Sequence, residues 1–172
     1  VAICEQVEDP KQARGIVRRE VVQVITPGMI LEPEYLETSK NNYLAAICSW
    51  GGGYGLAYLD ISTGDFKATQ FSSLDMLKEE LNRLEPSELL APQSLSLHFN
   101  PKHIVLASQP DEAILDLEQA QEILKSHFDI PSLDVLGLKD WHAAAISAAW
   151  ILHYAEQGQK TILPHITHLQ TY

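Results

Sequence analysis

The stretch "YLAAICSWGGGYGLAYLDISTGDFKATQF", Tyr43 to Phe71, decides the fold. It holds three apolar, β-type runs: "YLAAICSW", "GLAYLDIS" and "DFKATQF". Gly51-Gly52-Gly53-Tyr54 separates the first two, and a turn near Thr63-Gly64 separates the second pair. Loops this short force consecutive strands to lie side by side and antiparallel, so the spacing predicts a three-stranded meander. Inside it, Asp60, Ser62 or Thr63 can hydrogen-bond exposed turn amides, and Gly64 supplies the positive φ that a tight hairpin needs.

Helix signals follow the meander directly. Ser72 or Ser73 can cap, Leu74, Leu77, Leu81 and Leu84 recur at helical spacing, Glu79 sits four residues before Arg83, and Pro86 ends the pattern. "SELLAP" (Ser87 to Pro92) and "HIVLAS" (His103 to Ser108) read as buried strands, and a strand reached through a helix usually lies parallel to a predecessor. A second helix is expected over Leu117 to His127, with Ala120, Ile123, Leu124 and Phe128 as its buried stripe. A third is expected from an Asp140 N-cap through "WHAAAISAAWILHYAEQ", ended by Gly158. Its apolar residues run almost all round, so it should pack on more than one face. The fold class expected is α/β: a mixed, ribonuclease H-like sheet, made of the antiparallel meander plus parallel strands and flanked by helices.

Toward the N-terminus, "RREVVQVIT" reads as a strand that stops at Pro27-Gly28. The polar residues 29–40, with Pro33, read as a linker. Residues 1–28 are too few to bury a core of their own, which marks them as a remnant of another domain, while residues 41–157 make the α/β domain. Val1 already lies inside a strand-like run, "VAICEQV", so the chain reads as a piece of a longer one. At the other end, "KTILPHITHLQTY" contains Pro164 and apolar residues with no evident place in the domain. Residues 158–172 are therefore expected to begin the next one.

With 45% apolar and 20% charged residues, the composition is ordinary for a soluble globular protein. The net charge of −11 is unevenly spread. Residues 1–28 hold four bases against four acids, which leaves eight bases against nineteen acids for the remainder. Such a surface repels a phosphate backbone and suits a protein partner with a basic face. Trp141 to Tyr154, the longest apolar stretch, is too short to span a bilayer. Cys4 and Cys48 show no metal or redox spacing and lie in strand-like runs, where a buried free thiol is usual, so a reducing cytoplasm is expected.

Several residues could carry chemistry. Ribonuclease H-like nucleases gather several carboxylates to hold two metal ions. Here Asp60 is the one plausible member, since the first strand holds no acid, Glu79 and Glu80 lie on a helix, and Glu88 sits at a strand edge. A divergent metal-dependent nuclease is the runner-up reading, and it requires three or more carboxylates to converge. The Asp-Ile-Ser-Thr-Gly order places the glycine at the hairpin tip, unlike the Asp-x-Gly-Thr phosphate hairpin of sugar kinases. "GGGYG" has neither a following helix nor a lysine, and so is no phosphate loop. His153, His165 and His168 lack a carboxylate or cysteine companion and read as solvated. Trp141 and Trp150 read as core, and adjacent Arg18 and Arg19 fall on opposite strand faces.

Six stretches, "VAICEQVEDP", "GIVRREVVQVITPG", "NNYLAAI", "GYGLAYLDISTGDF", "PSELL" and "TILPHI", resemble in that order the MutS family of DNA mismatch-repair proteins. The resemblance implies that residues 1–28 close a mismatch-binding domain, that residues 41–157 form a ribonuclease H-like connector domain, and that residues 158–172 enter a lever and core domain. The family's Phe-x-Glu mismatch motif and its Walker lysine are not in this sequence. The resemblance therefore implies a non-catalytic segment without a cofactor of its own, ATP and Mg²⁺ being bound elsewhere in the parent protein, which would also supply contact with mismatched DNA. It further implies contacts with other domains of the parent and with the matchmaker protein MutL. The helix from Leu117 to His127, with Gln119, Gln121, Glu122 and Lys125 on its outer face, is the candidate for that last contact.

Overall fold

The computed structural model describes residues 1–6, 17–30, 41–96, 105–109, 116–159 and 163–172. Pro33 and the start of "HIVLAS" lie outside the described residues. The meander is formed by β3 (Tyr43–Trp50), β4 (Gly53–Asp60) and β5 (Asp65–Phe71), paired antiparallel with Ala46 opposite Ala57 and Ala57 opposite Ala68. The first turn is tighter than the four residues expected. Gly51 and Gly52, both at positive φ, make it alone, and Gly53 and Tyr54 already belong to β4.

Helix α1 (Leu74–Leu84) starts at Ser73, whose hydroxyl accepts from the Met76 amide, and ends where Glu85 turns left-handed. Arg83 pairs with Glu80, three residues away, rather than with Glu79. The Glu80 carboxylate is drawn toward the sheet because it also accepts from the Tyr172 hydroxyl. After α1 come β6 (Glu88–Pro92), the short helix α2 (Gln93–Ser96) and β7 (Val105–Gln109). β6 lies parallel to β3, and β7 parallel to β6. A final strand, β8 (Gln170–Thr171), pairs parallel with Lys67 and Ala68. Among the described residues the sheet has six strands in the order β7-β6-β3-β4-β5-β8.

Side-chain alternation gives this sheet two buried faces. Leu44, Ala46, Cys48, Ala57, Leu59 and Leu90 face α4 (His142–Gln159), on which α3 (Leu117–Phe128) stacks through Ala120 and Leu124. Ala45, Ile47, Leu56, Tyr58 and Leu89 face α1 through Leu77 and Leu81. The order of layers is thus α1, sheet, α4, α3. Helix α4 is buried almost all round because β3, β4 and β5 lie beneath it and α3 lies above. No helix among the described residues is long and apolar enough to cross a membrane.

Both expected ends of α4 need correction. Trp141, not Asp140, holds the position before the helix, its carbonyl accepting from the Ala145 amide at 2.9 Å. Gln70 on β5 accepts from the Ala143 amide at 3.0 Å, so the sheet supplies the cap from outside the local sequence. Gly158 does not end the helix, which runs on to Gln159. Its missing side chain leaves room for Met29, since an added Cβ would lie 2.3 Å from Met29 Cε.

The tail also departs from expectation. Leu163, Ile166 and Leu169 are buried in the same core as α4, and β8 extends the sheet, so residues 163–172 complete this body. The apolar spacing was visible in the sequence, but the gap it fills beside α3, α4 and β5 exists only after folding. Met29 belongs to that core as well. Upstream of it, β1 (Ala2–Gln6) and β2 (Arg19–Val24) form a separate antiparallel ribbon with a register shift at Ile3 and Cys4. Cys4 is exposed rather than buried, because the ribbon is nearly all surface, whereas Cys48 is buried and burial pushes its thiol up to about 11.

Candidate functional site

Asp60 ends β4 with its side chain 3% exposed. Its Oδ1 accepts from the amide and hydroxyl of Ser62 (3.0 and 2.6 Å) and from the Thr63 amide (3.3 Å). Its Oδ2 accepts from the Asn42 amide at 3.1 Å, which ties the entrance of β3 to the turn. Gly64, at φ 77°, closes the turn by donating to the Asp60 carbonyl at 2.8 Å. The carboxylate is occupied by local donors, as in an Asx-turn.

Glu88 opens β6 and is 1% exposed. Its Oε1 accepts from the Tyr154 hydroxyl of α4 at 2.7 Å. Its Oε2 accepts from the Gly28 amide at 3.0 Å and from the Thr26 hydroxyl. Register sets the relation between the two acids. Asp60 stands opposite Tyr43 and Glu88 opposite Leu44, adjacent residues of β3 whose side chains point to opposite faces. Asp60 therefore lies on the α1 side of the sheet and Glu88 on the α4 side. Among the described residues no group of three or more His, Cys, Asp or Glu is placed to hold a metal ion. Of the histidines considered earlier, His165 hydrogen-bonds the Ile61 carbonyl at 2.8 Å and His153 contacts Gln157.

On α3, the side chains singled out from sequence divide in role. Gln119 forms a capping box with Asp116: its amide donates to Asp116 Oδ1 at 2.8 Å while its own Oε1 accepts from the Asp116 amide at 3.1 Å. Glu122 is exposed and reaches Lys125 at 3.6 Å, while Gln121 and Lys125 are only half-exposed. Gln119 is exposed too, and Glu118, Glu122 and Ser126, four residues apart, form an exposed stripe beside it.

Beside this stripe a cleft of about 690 Å³ opens between α3, the end of α4 and the tail. Ile123, Phe128, Leu163 and Ile166 form its apolar walls, with Glu122, Asp129 and Glu156 at its rim. His127 lies alongside, with Nε2 2.8 Å from the Ile166 carbonyl and Nδ1 3.3 Å from Glu156. Apolar walls under carboxylates suit the stem and head of a cationic protein side chain, and repel phosphate. Sequence reasoning had reached the α3 half of this feature. It missed Glu156 and the tail, because their approach depends on the tail folding back. For the Glu88 cluster, a signal did exist: an acid opening the apolar run "ELLA" has to find buried donors.

Comparison with known proteins finds two family models along this chain: MutS domain II over residues 42–169 and MutS domain I over residues 1–34. Curated relatives span the whole chain. It is 40% identical over 178 residues to the DNA mismatch repair protein MutS of Desulfatibacillum aliphaticivorans, covering 100% of this chain and 20% of that protein. The same description belongs to a protein of Syntrophomonas wolfei, 40% identical over 181 residues, with 100% of this chain and 21% of the relative covered. A third, from Myxococcus xanthus, is 42% identical over 177 residues, with 98% and 20% covered. The chain thus spans about a fifth of the length of these relatives.

Proposed function

The chain belongs to the MutS family of DNA mismatch-repair proteins, and from that premise we propose that it works as a coupling module and not as a catalyst. In this proposal residues 41–157, completed by the tail 163–172, are the connector domain, residues 1–28 are the end of a mismatch-binding domain, and residues 29–40 link them. The observation that carries it is the junction. The matches to domains I and II follow one another along the chain, and just before the second begins Gly28 and Met29, in the turn after β2, are buried against β6 and α4. A ribonuclease H-like assignment of the body is supported by the meander followed by two strands parallel to their neighbours. Action without catalysis is supported by Asp60 and Glu88, which face opposite sides of the sheet and are each occupied by structural donors. ATP, Mg²⁺ and mismatched DNA would be engaged by the parent protein, and a reducing cytoplasm suits two unpaired cysteines.

The partner we assign is MutL, which the family implies, and the acidic rim of the cleft beside α3 supports a partner with a basic face. Titration of this chain with the ATPase domain of MutL, followed by NMR, is the test. Shifts should cluster on Glu122, Ser126 and the cleft walls and weaken as salt rises. Shifts elsewhere would overturn the cleft as the contact surface, and no shift at high concentration would overturn the partner assignment.

A further inference from the structure

We infer that Glu88 is a charged latch that makes the turn from Thr26 to Met29 a fixed part of the six-stranded body, so that displacement of the β1–β2 ribbon is passed to β6 and α4. The cluster joins three parts of the chain that are distant in sequence: the turn after β2, the first residue of β6, and the last third of α4. Among the described residues no cation touches the carboxylate; the groups that do are a hydroxyl, an amide and a phenol. A buried carboxylate without a counter-charge is tolerable only while its donors stay in place. Loss of the turn would remove Thr26 and Gly28 together, leaving Tyr154 as the remaining donor among the described residues, so docking should be close to all-or-none.

Packing around the carboxylate points the same way. A Cβ at Gly28 would lie 2.9 Å from Glu88 Cβ and 3.0 Å from Leu44 Cβ, so the backbone of the turn rests directly on β6 and β3. Asn42 donates its side-chain amide to the Pro27 carbonyl at 2.8 Å, and Met29 fills the space that Gly158 leaves on α4. The turn is therefore held from β3, β6 and α4 at once. The mechanical use of this latch rests on the coupling role proposed above, but the latch itself does not depend on MutL. Its failure and the failure of that role are read by different experiments.

The test uses this chain with Glu88→Gln, Thr26→Val and Tyr154→Phe, the last two of which leave the core volume nearly unchanged. Hydrogen exchange at the Gly28 and Met29 amides should rise by about tenfold or more in each variant, as expected for loss of a hydrogen bond to a charged group. Ala46 and Leu56 in the central strands should keep their protection. In parallel, residual dipolar couplings of the β1–β2 ribbon and of β3–β5 should fit one orientation in the parent chain and need two in Glu88→Gln. The inference would be overturned by unchanged exchange at Gly28 in all three variants, which would leave the turn fastened by Met29 packing and Asn42 without Glu88, or by two orientations in the unmodified chain. An equal rise at every amide would overturn it too, since Glu88 would then support the body at large.

Discussion

Among the described residues no cation reaches Asp60 or Glu88, and a carboxylate so buried survives only where donors surround it, a condition the two meet at different ranges. Asp60 takes its donors from Asn42, Ser62 and Thr63, so most of its role could be read from "LDISTG" itself. Glu88 draws on residues sixty or more positions away, which no local pattern discloses. We predict that Asp60→Ala lowers stability by about 2 kcal/mol in urea unfolding, since the exposed Ser62 and Thr63 amides regain water while the Asn42 amide does so less readily. An unchanged midpoint would show that the turn holds without its side chain. For Tyr154, burial first and the Glu88 carboxylate second push the phenol up to about 12, against an unfolded value of 10.0. The folded state thus favours the protonated phenol. That stabilisation is whole below pH 10 and is lost as pH rises through 12. Ultraviolet titration should show Tyr154 among the tyrosines that ionise late, with Tyr43 and Tyr172, whose phenols burial also raises, and Glu88→Gln should bring the Tyr154 transition alone down. A transition that does not move would remove Glu88 as a cause.

At the level of elements, the meander and the helices were legible because each is written in its own residues: short apolar runs separated by glycine-bearing turns for β3 to β5, and a leucine stripe for α1. The ends of α4 were not, because they are set by partners. Gln70 caps its start, and Met29 occupies the room left by Gly158. Gly55 shows how tight this packing is. A Cβ there would lie 2.1 Å from the carbonyl carbon and oxygen of Ala143, so β4 touches the backbone of α4. Gly55→Ala is predicted to cost about 3 kcal/mol or more, or to prevent folding, because neither backbone has room to give. Gly52→Ala, at φ 84° with nothing within 4 Å, should cost only about 1 kcal/mol of conformational strain. Equal midpoints for the two variants would refute the close approach.

For the molecule as a whole, the sequence suggested that the chain departs from the domain after α4. Instead, Leu163, Ile166 and Leu169 close the core. Each such side chain contributes about 2 kcal/mol on burial, against the roughly 5–15 kcal/mol that a domain has in total. A chain ended at Gln159 is therefore expected to unfold at much lower urea and to bind hydrophobic dye, and a full-length midpoint in that truncation would place the tail outside the cooperative unit. Helix α4 sets one more property of the assembly. Its eighteen residues span about 27 Å, pinned at the start by Gly55, Cys48 and Gln70 and near the end by Glu88 and Met29. A rod clamped at both ends and surrounded by close-packed side chains has little compliance. A load applied where Glu88 meets Tyr154 would then arrive at the β3–β4 hairpin as elastic strain, without waiting for the microsecond-to-millisecond swing of a hinge.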